Sequence, residues 1–84
     1  MEEITKLVKA NKAVIGTQLT LKSLKEGKLS KVYLSANAPL EVKDDIKTYA
    51  AISGVEIIEL EIPNDELGVI CKKPFPISVL GALK

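Results

Sequence analysis

The chain has 84 residues, 46% hydrophobic and 27% charged, with a mean hydropathy of +0.17 and a net charge of +1. That size and balance fit one small folded domain, residues 1–84, and exclude an extended disordered chain. One cysteine and no histidine exclude an internal disulfide, a thiolate zinc site and any chemistry that needs imidazole as base or ligand.

No apolar run approaches the roughly 20 residues of a membrane span, so no membrane partner is expected. The first segment, "MEEITKLVKANK", has acids followed by an amphipathic pattern and lacks the apolar centre of a signal peptide. A cytoplasmic location is the expectation. All 12 basic residues are lysines, which removes bidentate guanidinium contacts to phosphate or guanine. Charge is unevenly distributed. Residues 1–35 carry seven lysines against three acids (+4), residues 36–66 two lysines against eight acids (−6), and residues 67–84 three lysines and no acid (+3). If the two ends of the chain meet, the molecule has a basic side suited to a polyanion and an acidic side opposite.

In chain order, residues 2–10 place Ile4, Leu7 and Val8 on one helical stripe, with Asn11 as a stop. Ala13 to Ile15 reads as a short buried strand ending at Gly16. Thr17 is suited to cap a helix running to about Glu26, with Gly27 just past its end. "KVYLSA" (31–36) reads as a strand and "NAP" (37–39) as a turn. Pro39 then suits the start of a helix that turns Val42, Ile46, Tyr49 and Ala50 inward and stops at Gly54. "VEIIEL" (55–60) is a third strand, "NDELGVIC" a short helix after Pro63, and Lys72 to Pro76 a loop. "ISVLGAL" (77–83) is a last strand, apolar enough to be central. Helices alternating with short buried strands predict an α/β fold, a three-layer α/β/α sandwich on a four-stranded mixed sheet.

Three loops carry the chemistry. The helix after Gly16 has no acid in its first turn, where acids would suit the dipole. It offers Thr17, Gln18 and Thr20 there, with Lys22, Lys25 and Lys28 following. Without a Cβ, Gly16 permits close approach of another backbone, and the free amides of the first turn can donate to an anion. An ordinary strand-to-helix turn would look the same. Leu19 faces the opposite way from Leu21 and Leu24, and Lys22 lies on its side. In "SANAP", Asn37 can cap the helix after it or read a base edge. In "CKKPFPIS", Phe75 is held between two prolines beside Lys72 and Lys73. It forms either a rigid stacking surface for an unpaired base or a core residue folded inward. If the loops after Ile15, after Ala36 and after the fourth helix share one end of the sheet, all three features coincide. Cys71 has no base to activate it and suits a small buried hydrophobe; Asp44 and Asp45 sit on adjacent helix positions pointing apart. No catalytic residue, cofactor or metal site is expected.

Four stretches resemble one family in order and spacing: "GTQLTLKSLKEGK", "SANAPLEVKDDIKTYAAISGV", "NDELGVICKKPF" and "ISVLGAL". They are similar to the L-thirty-e family of archaeal and eukaryotic large-ribosomal-subunit proteins, within the kink-turn-binding superfamily that includes L-seven-Ae. The resemblance covers almost the whole chain. It implies a structural ribosomal protein that binds kinked rRNA beside neighbouring ribosomal proteins, with no DNA partner. A stand-alone kink-turn protein of a guide-RNA or RNase P particle, or a protein-interaction adaptor using the acidic stretch Glu41–Glu66, is the alternative. The implied RNA contacts are Gly16, Thr17, Gln18, Leu19, Lys22, Asn37, Lys72, Lys73, Phe75, Pro76 and Ile77. The chain departs from the family pattern at Gln18, Leu19, Val42 and Pro76, where many or some members carry basic or polar residues. Each departure removes phosphate charge, so weaker RNA affinity in isolation is implied.

Overall fold

A computed structural model describes residues 2–84. The elements alternate as expected: α1 (Glu2–Lys9), β1 (Ala13–Ile15), α2 (Thr17–Lys25), β2 (Leu29–Leu34), α3 (Leu40–Ser53), β3 (Glu56–Glu59), α4 (Asn64–Ile70) and β4 (Val79–Leu83). The four strands form one mixed sheet in the order β1-β4-β2-β3. β4 runs antiparallel to both β1 and β2, and β3 runs parallel to β2. The apolar "VLGAL" strand is therefore central, whereas β1, at the edge, is half-buried rather than fully buried.

The pleat divides the sheet's side chains between two cores. On one face, Tyr33, Leu80 and Ala82 pack with Ile4 of α1, and with Leu67 of α4 and the adjoining Cys71. On the other, Leu29, Val32, Leu34 and Val79 pack with Leu24 of α2 and with Ile46 and Ala50 of α3. This is the α/β/α sandwich. Each fully buried Leu, Ile or Val is worth roughly 1.5–3 kcal/mol in area removed from water. Gly81 keeps α2 close to β4: a Cβ there would come within 2.8 Å of a Leu29 methyl and 3.4 Å of the Thr20 methyl. Thr20 is accordingly buried beneath the helix. Its sequence position suggests the open first turn; lying one turn before Leu24, it faces the sheet instead.

Among the described residues, α1, α2 and α4 stop with the same backbone pattern, in which two amides beyond the helix return to two carbonyls of its last turn, whereas at the end of α3 the Gly54 and Val55 amides both return to the Ala50 carbonyl. For α2, Gly27 bonds to Leu24 at 3.1 Å and Lys28 to Ser23 at 3.0 Å; for α4, Lys72 bonds to Val69 and Lys73 to Gly68, both at 2.9 Å. The left-handed residue at these ends is Asn11, Gly27, Gly54 or Lys72. Asn11 and the two glycines tolerate that conformation, whereas Lys72, at φ 58°, pays for its Cβ. No helix among the described residues is long and apolar enough to cross a membrane.

Candidate nucleic-acid interface

Because β4 opposes β1 and β2, the ends of β1 and β2 and the start of β4 lie along one edge of the sheet. Hydrogen bonds fix this edge. The Gly16 amide donates to the Val79 carbonyl at 3.1 Å, and the Ser35 amide to the Ser78 carbonyl at 2.9 Å. The segments around Gly16, Asn37 and Phe75, distant in sequence, thus meet on one rim.

At the first segment, Gly16 itself is the N-cap of α2, at φ 105° and ψ 152°, a conformation open essentially to glycine alone. A Cβ there would meet nothing within 4 Å, so the requirement is conformational and the space above the backbone is open. This corrects the reading of Thr17 as the cap. Thr17 is the first helical residue, half-buried, and no side chain caps the helix. Its first turn contains no acid, and the amides there keep their donor capacity. Gln18 is exposed, and Leu19 is 59% exposed. Leu19 and Lys22 line a cleft of about 420 Å³ floored by β1.

Not every lysine in and after α2 belongs to this rim. Lys28 lies at the opposite end of the sheet, where its carbonyl accepts the Lys84 amide, and its ammonium pairs with Glu26 at 2.9 Å. That pairing holds the Glu26 carboxyl below its ordinary value. Lys25 turns toward α3, its ammonium 4.9 Å from the centre of the Tyr49 ring. Of Lys22, Lys25, Lys28, Lys72 and Lys73, the basic residues flanking the three loops in the sequence, Lys25 and Lys28 thus turn away from the rim.

At the second segment, Asn37 caps a helix, but not the one after it. Its Oδ1 accepts the backbone amide of Asn64, the first residue of α4, at 2.8 Å, and also the Ser35 hydroxyl at 3.3 Å. Its Nδ2 donates to the Asn64 Oδ1 at 3.1 Å. Pro63, which precedes α4, has no cap to offer, so the loop after β2 supplies it. Asn64 then reaches the third segment: its carbonyl accepts the Ile77 amide at 2.9 Å, and its Nδ2 donates to the Ser78 hydroxyl at 3.5 Å. Asn64 is the residue missed in the sequence, where it reads as one more helix-start asparagine.

At the third segment, the loop lies directly on α4. A Cβ on Gly68 would collide with the Phe75 carbonyl oxygen and sit 3.1 Å from its carbon, so "ELG" is a packing requirement. Phe75 is 48% exposed, which settles the choice between surface and core in favour of the surface. With Val69, 72% exposed, and with Lys73, Pro74, Pro76 and Asp65 it lines a shallow cleft of about 330 Å³. Ile77 departs from expectation. It is 2% exposed and belongs to the core with Ile4, Leu67 and Leu80, because the chain turns inward, its amide held by the Asn64 carbonyl, two residues before β4 begins. Its side chain is not available at the rim. Cys71 is buried, and burial raises its thiol pKa.

The sequence pattern of the Ribosomal protein L7Ae/L30e/S12e/Gadd45 family matches residues 1–84. Among curated relatives, the large ribosomal subunit protein eL30 of Sulfolobus acidocaldarius is 39% identical over 79 residues, covering 94% of this chain and 76% of that protein. The eL30 of Methanocaldococcus jannaschii is 36% identical over 76 residues, covering 90% and 69%. Among solved structures, the Giardia lamblia 15.5kD RNA binding protein superposes with a TM-score of 0.88 at 22% identity, covering 96% of this chain and 68% of that one. The two eL30 relatives are proteins of the large ribosomal subunit. The chain belongs to the Ribosomal protein L7Ae/L30e/S12e/Gadd45 family.

Proposed function

We propose that the protein is a structural component of the large ribosomal subunit that grips sharply bent, kink-turn-like rRNA with the rim. The observation that carries this reading is the convergence of Gly16, Asn37 and Phe75 along one sheet edge, fixed by the bonds Gly16–Val79 and Ser35–Ser78. The acid-free start of α2 directs amides, and Lys22 a charge, toward a phosphate backbone. Gln18 donates and accepts beside it. Leu19 offers an apolar surface. Lys72 and Lys73 neutralise the opposite strand. Phe75, stiffened by Pro74 and Pro76, supplies a ring face on which an unpaired base stacks.

Without arginine, recognition rests on shape and backbone geometry more than on guanine edges. That suits a kinked internal loop better than a sequence read in a groove. The eL30 relatives support the ribosome over a guide-RNA or RNase P particle as the setting. The test is co-sedimentation with large subunits after a moderate salt wash. Retention is expected. Loss from the subunit with recovery in a smaller ribonucleoprotein would overturn the setting.

A further inference from the structure

β3 is an outer strand of the sheet, paired with β2 alone. Its inner side is satisfied: beyond the strand proper, the Leu60 amide donates to the Leu34 carbonyl, and the Ile62 carbonyl accepts the Ala36 amide, both at 2.8 Å. Strand geometry alternates, so the even-numbered residues bond to β2 while the amides and carbonyls of Ile57 and Glu59 face outward. Open edges of this kind accept further strands unless something blunts them. β3 is a short strand of four residues with a glutamate at each end, so acidic charge, rather than proline or lysine, guards this edge.

The two faces beside this edge differ usefully. On the α3 side, a cleft of about 400 Å³ has Ala50, Ala51, Val55 and Ile57 in its lining, with Glu59 and Lys47 at its mouth, paired at 3.0 Å. On the α1 side, a cleft of about 370 Å³ is lined by Ile58 and Leu60 and by Glu2 and Glu3. Glu56, exposed, shares that face with Ile58. The α1-side cleft is also lined by Ile4 and Tyr33, so an added strand would lay alternate side chains over two apolar clefts, one beside the Glu59–Lys47 pair and the other beside the carboxylates of Glu2, Glu3 and Glu56.

We infer that the β3 edge docks an extended segment of a partner protein in which lysine or arginine alternates with apolar residues, as a fifth strand. Backbone bonds to Ile57 and Glu59 supply the pairing. Apolar side chains settle toward Ala50 and Ala51, and basic ones reach Glu2, Glu3 and Glu56. Charge disfavours a second copy as occupant, because an antiparallel β3 pair would gather Glu56 and Glu59 of both copies along one seam. It disfavours RNA for the same reason. The surface is separate from the rim and stands whether or not the rim binds RNA.

The test titrates the isotope-labelled full chain with the acetylated, amidated peptide Val-Lys-Val-Lys-Val-Lys, and separately with Val-Glu-Val-Glu-Val-Glu. The lysine peptide should shift the amide resonances of β3 and, at about ten times its Kd, slow hydrogen exchange at Ile57 and Glu59 roughly tenfold. The glutamate peptide should do neither. The double variant Glu2→Lys/Glu56→Lys, changed only at exposed positions, should lose the response while keeping the wild-type spectrum elsewhere. Equal response to both peptides, shifts centred away from β3, or unchanged exchange at Ile57 and Glu59 would overturn the inference. So would concentration-dependent β3 shifts in the protein alone, which would identify a second copy as the occupant.

Discussion

The backbone amide of Asn64 donates to the Asn37 side-chain Oδ1 across 2.8 Å, and the Asn37 Nδ2 returns a bond to the Asn64 Oδ1 at 3.1 Å. One side chain thereby caps a helix that starts 27 residues later and locks two loops of the rim together. Asn37→Ala removes the cap and should cost about 1–2 kcal/mol in a denaturant titration. Asn37→Asp keeps the acceptor at a helix N-terminus but loses the Nδ2 donor. It should unfold close to wild type yet bind RNA more weakly, separating the two roles of the residue.

Lys72 occupies the left-handed position that ends α4, at φ 58°, where Gly27 and Gly54 serve the same purpose in other helices. Lys72→Gly should relieve the strain and stabilise the fold by about 1 kcal/mol, read as a melting temperature raised by roughly 4–8 °C. The same change removes a charge from the rim. With Lys22, Lys72 and Lys73 as the contributing cations, the log–log salt slope of RNA binding should be about −2 to −3, and shallower by about 0.7–0.9 in the variant. A stabilised protein with weaker, less salt-sensitive binding is the expected signature.

Gly68 has no room for a side chain beneath Phe75. Gly68→Ala must push the 72–77 loop off α4, with a cost of about 1–3 kcal/mol. Thermal unfolding measures the cost. RNA binding should fall further than in Phe75→Ala, because the whole loop moves rather than one ring. Equal effects would mean that only the ring matters.

Tyr33 gives the fold an alkaline limit. Its hydroxyl donates to the Glu3 carboxylate at 3.0 Å, and burial first, then that bond and the carboxylate charges of Glu3 and Glu56, push its pKa from 10.0 up to about 12. The folded state thus holds the phenolic proton more tightly than the unfolded chain does. This contribution to stability is complete below pH 10 and is lost as pH rises from 10 toward 12. Urea unfolding of wild type and Tyr33→Phe across that range should show the wild type losing stability the more steeply.

Much of the architecture is legible in the residues. The stops at Asn11, Gly27 and Gly54, the proline starts at Pro39 and Pro63, and the apolar run of β4 place the elements to within a few positions. The starts of the strands are less legible. β2 begins at Leu29 rather than Lys31, because an irregularity in its pairing with β4 lies between those two residues. β4 begins at Val79, yet Ile77 is already core, so the 72–77 loop ends sooner on the surface than its sequence suggests. The rim's general composition is legible too, since Gly16, Asn37 and Phe75 stand out by type. Their mode of action is not. Asn37 is committed to Asn64 through a contact between distant segments, and no local pattern announces such a contact. Lys25 and Lys28 look like rim charges until helix direction carries them to Tyr49 and to the far end of the sheet.

The most direct measurement is a binding titration of the protein against a kink-turn RNA and an unkinked duplex of equal length and charge, at several salt concentrations, with wild type and Phe75→Ala. Preference for the kinked RNA of at least about tenfold, worth roughly 1.4 kcal/mol, is expected at every salt concentration, and it should shrink in the variant. Equal affinity for the two RNAs, or a preference untouched by removal of the Phe75 ring, would contradict recognition of bent RNA by this rim.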